Sequence, residues 1–195
     1  MEFLIATHNL KKREELRRIL APLGIEVYLD YEKGVFLNEV EETGKTFEEN
    51  AMLKAVGGCA DSMMPCIADD SGLCVDALDG RPGVLSARYH GEETSYAEKM
   101  AFLLEELKDV PEENRTARFV SAVACVFPDG RRFTVRGACE GKIGYAPRGD
   151  NGFGYDPVFM VGDRSFAELT AAEKDALSHR GNALRKLAEE LKNYI

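Results

Sequence analysis

The first half of the chain alternates between the hydrophobic patterns of strands and helices. An apolar run begins at Phe3, and apolar side chains then recur at helical spacing up to Leu23. Thr46–Glu49 has the sequence of a capping box, and Pro65 stops the helix that this box begins. The predicted elements are a strand over residues 3–7, a helix from residue 9, a strand over residues 25–29, a helix over residues 46–63 and a buried strand over residues 66–68.

The second half of the chain adds a hairpin and further helices to this alternation. Pro128–Gly130 is a turn signal between two apolar segments, and Thr170–Glu173 is a second capping box. The predicted elements are a helix over residues 96–108, strands over residues 117–127 and 132–139, a short strand over residues 157–160 and a terminal helix that carries Leu184, Leu187 and Leu191. Because helices and strands interleave around a hairpin, we expect one α/β domain over residues 1–195, with a mixed sheet flanked by helices.

Composition and charge exclude several classes of protein. The chain has 34 acidic and 25 basic residues, and this net charge of -9 argues against broad nucleic-acid binding, which requires many Lys and Arg contacts to phosphates. No apolar run approaches the roughly 20 residues of a membrane span. The five cysteines form no Cys-x-x-Cys pair and no secretory signal precedes the first strand, so we expect reduced thiols in a cytoplasmic protein. The negative net charge still allows a small anionic substrate, because a local basic pocket with a divalent metal can outweigh the global charge.

The turn at Thr7–Asn9 lies between a predicted strand and a predicted helix, with Lys11 and Lys12 in the first helical turn. Free backbone N–H groups and the helix dipole make such a turn suitable for binding an anion. Two cations at a helix N-terminus oppose the dipole, so a negative group is expected to compensate them. The alternative is an ordinary helix cap with a solvated basic face.

Two adjacent carboxylates, Asp69 and Asp70, follow the apolar strand at residues 66–68. Such a pair resists desolvation unless a cation or a proton lies nearby, and a divalent metal with oxygen ligands meets that need. A carboxylate beside a metal also orients or deprotonates a water molecule. Because successive strand residues point to opposite faces, we expect the two aspartates to have different roles. The alternative is a turn in which both carboxylates cap loop amides.

The acidic run over residues 39–42 offers a further metal ligand, although an isolated charge run of this kind is more often only solvated. A glycine-rich segment over residues 149–157 also suggests ligand binding, because Phe153 and Tyr155 present ring faces to a planar base and Asp156 accepts from ring N–H groups. The alternative for this segment is a turn-rich connection that only packs its aromatic side chains.

The last segment with candidate chemistry contains Lys174 and Ser178–Gly181. Lys174 and Ser178 share a face if the helix continues through both of them. Arg180 offers a planar guanidinium suited to carbonyl or phosphate oxygens. His179 alone is a weak candidate for a ligand, since no His-x-x-x-His pair occurs in the chain.

Six of these segments, in this order along the chain, resemble the inosine triphosphate pyrophosphatase family, whose members hydrolyse non-standard purine nucleoside triphosphates. The resemblance extends from Phe3 to about Leu191. Any one motif is weak, but six in order are highly specific. The six are Thr7–Lys12, Thr46–Ala51, Ala68–Gly72, Ser86–Tyr89, Phe153–Asp156 and Ser178–Gly181.

The resemblance implies a long mixed sheet flanked by helices, in two lobes with a nucleotide cleft between them. It implies a cytoplasmic homodimer that requires Mg²⁺ and whose partner is a small-molecule nucleotide, with no nucleic acid and no membrane. The implied reaction converts ITP, dITP or XTP to the monophosphate and pyrophosphate.

The resemblance also assigns roles to residues. Asp70 matches the general base and a metal ligand, and Glu41 is our choice for the second metal ligand, with Glu39 and Glu42 left open. Thr7, Asn9 and Lys12 match the positions that hold the triphosphate, whereas the family commonly has a smaller residue at the position of His8. The full set of implied substrate-binding residues is Thr7, His8, Asn9, Leu10, Lys11, Lys12, Ser71, Phe153, Gly154, Tyr155, Asp156, Lys174, His179 and Arg180.

Base selection follows from two of these assignments. Arg180 donates to the 6-carbonyl of hypoxanthine or xanthine, and Asp156 accepts from the ring N1–H that adenine lacks. Two alternative functions were considered: a related Maf-like pyrophosphatase that acts on modified pyrimidine nucleotides, and a sensor that binds a triphosphate without turnover. The adjacent carboxylates favour hydrolysis over the sensor.

Overall fold

The computed structural model describes residues 1–194, and the strands within that range form one mixed sheet. The strands are β1 (Glu2–Ile5), β2 (Glu26–Tyr28), β3 (Cys66–Val75), β4 (Thr116–Val126), β5 (Arg132–Ile143), β6 (Phe159–Val161) and β7 (Arg164–Ser165). Their order in the sheet is β2-β1-β3-β4-β5-β6-β7. The pairs β1–β2 and β1–β3 are parallel, whereas β5–β6 and β6–β7 are antiparallel. The predicted α/β class with a mixed sheet is therefore confirmed.

Most of the α-helices begin at a side-chain cap. They are α1 (Leu10–Leu20), α2 (Phe47–Ser62), α3 (Tyr96–Glu106), α4 (Ala171–Leu177) and α5 (His179–Leu191). Short 3₁₀ helices cover Ala21–Leu23, Asp30–Lys33, Asp76–Leu78, Gly83–Arg88, Glu112–Asn114, Asp156–Val158 and Phe166–Glu168. The capping box at Thr170 forms as predicted, with reciprocal bonds to Glu173. At Thr46 only the cap forms, because the Glu49 carboxylate accepts instead from the backbone N–H of Lys45. No helix among residues 1–194 is long and apolar enough to cross a membrane.

The chain divides into two compact units. Unit 1 comprises Met1–Asp70, Ser121–Gly137 and the chain from His179 on, and unit 2 comprises Ser71–Val120 and Ala138–Ser178. The single domain over residues 1–195 and the cleft between two lobes stay predictions.

The core of unit 1 forms between α1, α5 and the strands that lie between them. Three members of the apolar stripe predicted on α1 are buried there, and so are the three leucines predicted for the terminal helix. The fourth member of the stripe, Leu23, is exposed, because the helix gives way to a 3₁₀ turn at Ala21. Gly137 on β5 allows α5 to approach closely, because a Cβ at this position would lie 2.3 Å from the backbone oxygen of His179. The buried members include Leu16, Ile19, Leu20, Ile67, Val123, Leu184, Leu187 and Leu191.

Unit 2 has a separate, aromatic-rich core. Phe119 on β4, Phe159 on β6 and Phe166 pack against one another with ring centroids 4.6 to 5.6 Å apart. Leu103 of α3 and Tyr155 belong to the same buried cluster. This core supports the loop that precedes β6.

The register of β1 and β3 brings two of the sequence motifs together within unit 1. Ile5 pairs with Ile67 in the parallel ladder, and the backbone N–H of Ala6 donates to Ile67. The chain leaving β1 at Thr7 therefore runs beside β3 where Asp69 and Asp70 follow. Ligands of open α/β sheets commonly bind at such carboxyl ends of parallel strands.

Three sequence-based boundaries near the candidate site residues were wrong, and the strand predicted over residues 132–139 also continues to Ile143. β3 does not end at Ala68 but continues through both aspartates to Val75, because nearby cations compensate the carboxylates. The helix that begins at Thr170 ends at Leu177, and Ser178 is extended (φ -68°, ψ 158°), so Lys174 and Ser178 do not share a continuous helical face. The strand expected from Pro157 begins at Phe159, since Asp156–Val158 forms a 3₁₀ helix.

Candidate functional site

The turn between β1 and α1 is held by its own polar groups. The Asn9 side chain caps α1 by accepting from the backbone N–H of Lys12 at 3.1 Å, and the Asn9 N–H donates to Thr7 Oγ1 at 3.3 Å. Arg13 donates from Nε to the carbonyl of Thr7. His8 and Leu10 are exposed. The predicted turn at a helix N-terminus is therefore present and fixed in one conformation.

The two lysines of this turn have different environments. The Lys12 side chain is 15% exposed, and its Nζ lies 3.3 Å from Asp69 Oδ2. Burial lowers the pKa of Lys12, although the Asp69 carboxylate opposes that shift. Lys11 is 62% exposed and forms only a 3.6 Å pair with Glu14. Lys12 therefore belongs to the buried cluster and Lys11 to the surface.

Asp69 is fully buried and is bound by cations from two helices. Arg180 of α5 donates from Nε at 3.2 Å and from Nη2 at 3.0 Å to the same Oδ2 atom that Lys12 approaches. Burial favours the neutral acid, but Lys12, Arg180 and Lys54 together hold the pKa of Asp69 below its usual range. Oδ1 is buried and accepts no hydrogen bond from residues 1–194. Asp69 is thus a buried carboxylate that binds both Lys12 and Arg180.

Asp70 has a different set of partners, on α2. Lys54 Nζ lies 3.0 Å from Oδ1, and Asn50 donates from Nδ2 to Oδ2 at 3.3 Å. Burial raises the pKa of Asp70 above its ordinary value, against the opposing effect of Lys54. The two aspartates therefore have separate partners, as the alternation along a strand predicts.

Lys54, Asn50 and Glu15 are part of this cluster. The sequence analysis gave none of them a role, although Asn50 lies within the motif Thr46–Ala51. Asn50 and Lys54 lie four positions apart on α2, so they share one face of a helix whose start the sequence did predict. That spacing was a usable signal. Glu15 accepts from Arg180 Nη1, and nothing local in the sequence indicates this contact.

The structure brings Glu42, rather than Glu41, towards Asp70. The Glu42 carboxylate lies 2.8 Å from Lys54 Nζ, the same ammonium that pairs with Asp70. Glu39 and Glu41 are exposed. Among residues 1–194 no group of three or more His, Cys, Asp or Glu side chains is arranged to hold a metal ion. Asp70 and Glu42, the two carboxylates that share Lys54, are ligands of the type that Mg²⁺ uses. Mg²⁺ binds proteins through one or two carboxylates, and water and phosphate oxygens are its other ligands.

A second polar site lies in unit 2, around Asp156. This carboxylate is 3% exposed, and its Oδ2 accepts from Lys174 Nζ at 2.7 Å and from the backbone N–H of Phe153 at 3.0 Å. Lys174 Nζ also lies 4.8 Å from the centre of the Phe153 ring. Gly152 is required here, because it has a φ of +70° and a Cβ would lie 2.0 Å from Asp156 Oδ2. The predicted base-binding residues Phe153, Asp156 and Lys174 are therefore brought together.

Tyr155 does not offer a ring face, contrary to the sequence-based expectation. It is 3% exposed, its hydroxyl donates to the backbone carbonyl of Ser86 at 2.8 Å, and its ring meets Tyr96 edge-on. Packing into the core of unit 2 explains this orientation. Phe153 is only partly buried and remains the aromatic candidate of this loop.

Arg180 lies with Asp69 and Glu15 in unit 1, whereas Asp156 lies in unit 2. Arg180 is 1% exposed, and its guanidinium donates to two carboxylates, so the structure shows no guanidinium N–H offered to a base. His179, the first residue of α5, is buried, and Ser71 on β3 is half-buried. The nucleotide contacts of Ser71, Gly154, His179 and Arg180 stay predictions.

Comparison with known proteins covers nearly the whole chain. A family model described as the Ham1 family matches residues 3–190. A dITP/XTP pyrophosphatase of Nocardia farcinica is 53% identical over 194 residues, which covers 96% of this chain and 93% of that protein. A dITP/XTP pyrophosphatase of Bacillus subtilis is 49% identical, with coverage of 97% and 96%. The solved structure of a HAM1 protein from Coxiella burnetii superposes with a TM-score of 0.87 at 38% identity and covers 99% of each chain.

Proposed function

The chain belongs to the Ham1 family, and from that premise we propose that it hydrolyses ITP, dITP and XTP to the nucleoside monophosphate and pyrophosphate. The similarity to dITP/XTP pyrophosphatases confirms the family resemblance found in the sequence. The observation that carries the proposal is the buried cluster of unit 1. There two adjacent carboxylates, separately paired, lie beside Lys12 at a capped helix N-terminus.

The triphosphate is proposed to bind at the N-terminus of α1. The free N–H groups of the first helical turn and the helix dipole favour phosphate oxygens there. Lys12 adds a positive charge that Asp69 holds in place at 3.3 Å. Asn9 keeps the turn closed by accepting from the Lys12 N–H. Bound phosphate then compensates the cations that oppose the helix dipole.

Asp70 is proposed to be the general base. Its carboxylate accepts a proton from water while the water oxygen forms a bond to phosphorus, and the anhydride bond breaks to release pyrophosphate. Lys54 and Asn50 hold this carboxylate in one orientation, at 3.0 and 3.3 Å. Lys12 and Lys54 supply fixed positive charge close to where phosphate charge develops, which is the main catalytic contribution in phosphoryl transfer.

We further propose that Mg²⁺ binds to Asp70 and Glu42. Both carboxylates already face one cation, the Lys54 ammonium, at 3.0 and 2.8 Å. When bound, Mg²⁺ neutralises phosphate charge and orients the anhydride. The assignment replaces Glu41 by Glu42, one of the two alternatives that the sequence left open.

The base is proposed to bind beside Phe153 and Asp156 in unit 2. A carboxylate has about four acceptor sites, so Asp156 accepts a ring N1–H in addition to its contacts with Lys174 and the Phe153 N–H. The Phe153 ring supplies a face for stacking. Assembly as a homodimer and a cytoplasmic location are further expectations from the family resemblance.

The experiment that tests this function is a substrate panel. Purified protein is incubated with Mg²⁺ and ITP, dITP, XTP or a modified pyrimidine triphosphate, and released pyrophosphate is measured. We expect pyrophosphate from the three purine nucleotides. Faster turnover of the pyrimidine would favour the Maf-like alternative, and binding of ITP without pyrophosphate release would favour the sensor.

A prediction separates the two lysines of the α1 turn. We expect Lys12→Ala to lower kcat/KM for ITP by about 100-fold, the size observed when one fixed donor to a developing oxyanion is removed. Lys11→Ala should change it less than about threefold, because Lys11 is 62% exposed and exposed pairs contribute little. Steady-state kinetics of the two variants provide the measurement. Equal losses would mean that the turn acts only as a diffuse basic surface.

A further inference from the structure

Glu15 is buried, although the proposed chemistry gives it no role. It lies on α1 and is 6% exposed, and its carboxylate accepts from Arg180 Nη1. A buried carboxylate is costly unless it is paired, and here the partner is the same arginine that binds Asp69. Glu15 is therefore connected to the triphosphate site through a chain of charged groups.

This chain of charges begins and ends on α1, within unit 1. Glu15 and Lys12 lie three positions apart on α1, Asp69 is on β3 and Arg180 is on α5. Arg180 links Glu15 to Asp69, and Asp69 links Arg180 to Lys12. The charges of the two carboxylates and the two cations thus sum to zero, which lowers the cost of burying them. Lys12 is therefore linked to Glu15 through Asp69 and Arg180.

We infer that Glu15 is a positioning residue for Lys12 and acts on it through Arg180 and Asp69. The inference rests on the proposed function, because it assumes that Lys12 binds the triphosphate. Asp69 Oδ2 is shared between two nitrogens of Arg180 and the ammonium of Lys12. Glu15 accepts from the third nitrogen, Nη1. Without the Glu15 charge, Asp69 is the one carboxylate left in this set to neutralise both cations, and its hold on Lys12 weakens.

The sign of the effect distinguishes positioning from simple electrostatics. Removing a negative charge near a basic site, with the geometry unchanged, strengthens the binding of an anion. Loss of a fixed Lys12 ammonium weakens it. The two roles therefore predict opposite changes in affinity for the same variant.

The test measures binding of inorganic tripolyphosphate by calorimetry in buffer without added metal. We expect Glu15→Gln to raise Kd about tenfold, comparable to the loss of one charge-assisted hydrogen bond. Glu15→Asp keeps the charge and should raise Kd only about threefold. Glu14→Gln is the matched control on the next residue, since Glu14 is 62% exposed and pairs with Lys11, and it should change Kd less than twofold.

A double-mutant cycle then shows whether Glu15 acts through Lys12. In a Lys12→Ala background, Glu15→Gln and Glu15→Asp should each change Kd less than twofold, because the group they position is gone. Tighter binding by Glu15→Gln, an undiminished effect without Lys12, or no tripolyphosphate binding by the wild type would each overturn the inference. If Glu15→Gln fails to fold, the same cycle with Glu15→Asp decides. Because the assay needs no turnover, failure of ITP hydrolysis alone would overturn the proposed function and leave this inference standing.

Discussion

We expect Asp70→Asn to lower kcat for ITP by about 10²–10⁴-fold, the range that a general base contributes. The amide keeps the shape of the carboxylate and its contact with Asn50, but it accepts no proton from water and binds Mg²⁺ weakly. Lys54 retains Glu42 as a carboxylate partner at 2.8 Å, so the variant should remain folded. The measurement is single-turnover hydrolysis of ITP, together with thermal unfolding of the same sample.

Asp69→Asn is the matched control for this prediction. Asp69 is fully buried and pairs with both Lys12 and Arg180, so loss of its charge leaves buried cations uncompensated. Breaking a buried ion pair from one side costs about 3–5 kcal/mol, and Asp69→Asn should therefore lower the unfolding temperature more than Asp70→Asn does. A folded Asp70→Asn protein with near wild-type turnover would move the base to Asp69 and contradict the assignment.

The second large effect concerns selection of the base. We expect kcat/KM for ITP to exceed that for ATP by at least about 100-fold. A site that forms a hydrogen bond to a particular polar group of its substrate can reject an analogue lacking that group by about 10⁴-fold. Asp156 only accepts, so it binds the N1–H of hypoxanthine and faces a bare N1 in adenine. GTP also carries N1–H, so this contact does not reject it.

Asp156→Asn tests this explanation directly. The amide donates as well as accepts, so the ITP/ATP ratio of kcat/KM should fall at least about tenfold. Loss of the 2.7 Å pair with Lys174 also affects stability, so the ratio within one protein sample is the relevant quantity. Binding of inorganic tripolyphosphate, which has no base, should stay unchanged. An unchanged ratio, or a wild type that cleaves ATP as well as ITP, would show that another contact selects the base.

Local patterns predicted most of the elements, because their signals lie within a few residues of each other. The start of α1 near Asn9, the buried part of its apolar stripe and the hairpin after Phe127 all follow from local patterns. β3 was predicted too short, since two aspartates look like the end of a strand. Charges from α1, α2 and α5 permit the strand to continue, and no pattern around Asp69 reveals them.

The sequence predicted the site residues that lie within motifs. It did not predict those that reach the site through contacts between distant parts of the chain. Lys12, Asp70 and Asp156 lie within recognisable segments. Glu15 meets Arg180 across 165 positions of the chain, and a single sequence gives no sign of that contact. Tyr155 was misjudged for the same reason, because its ring packs into the core of unit 2 and its hydroxyl donates to the carbonyl of Ser86, 69 positions away.

Product analysis tests the central claim, hydrolysis of a non-standard purine triphosphate to monophosphate and pyrophosphate, most directly. Purified protein is incubated with ITP and Mg²⁺ in the absence of any inorganic pyrophosphatase, and the products are separated by anion exchange. Our account predicts IMP and pyrophosphate in equal amounts from the earliest time point, and neither product from Asp70→Asn on the same timescale. Accumulation of IDP with inorganic phosphate would contradict it.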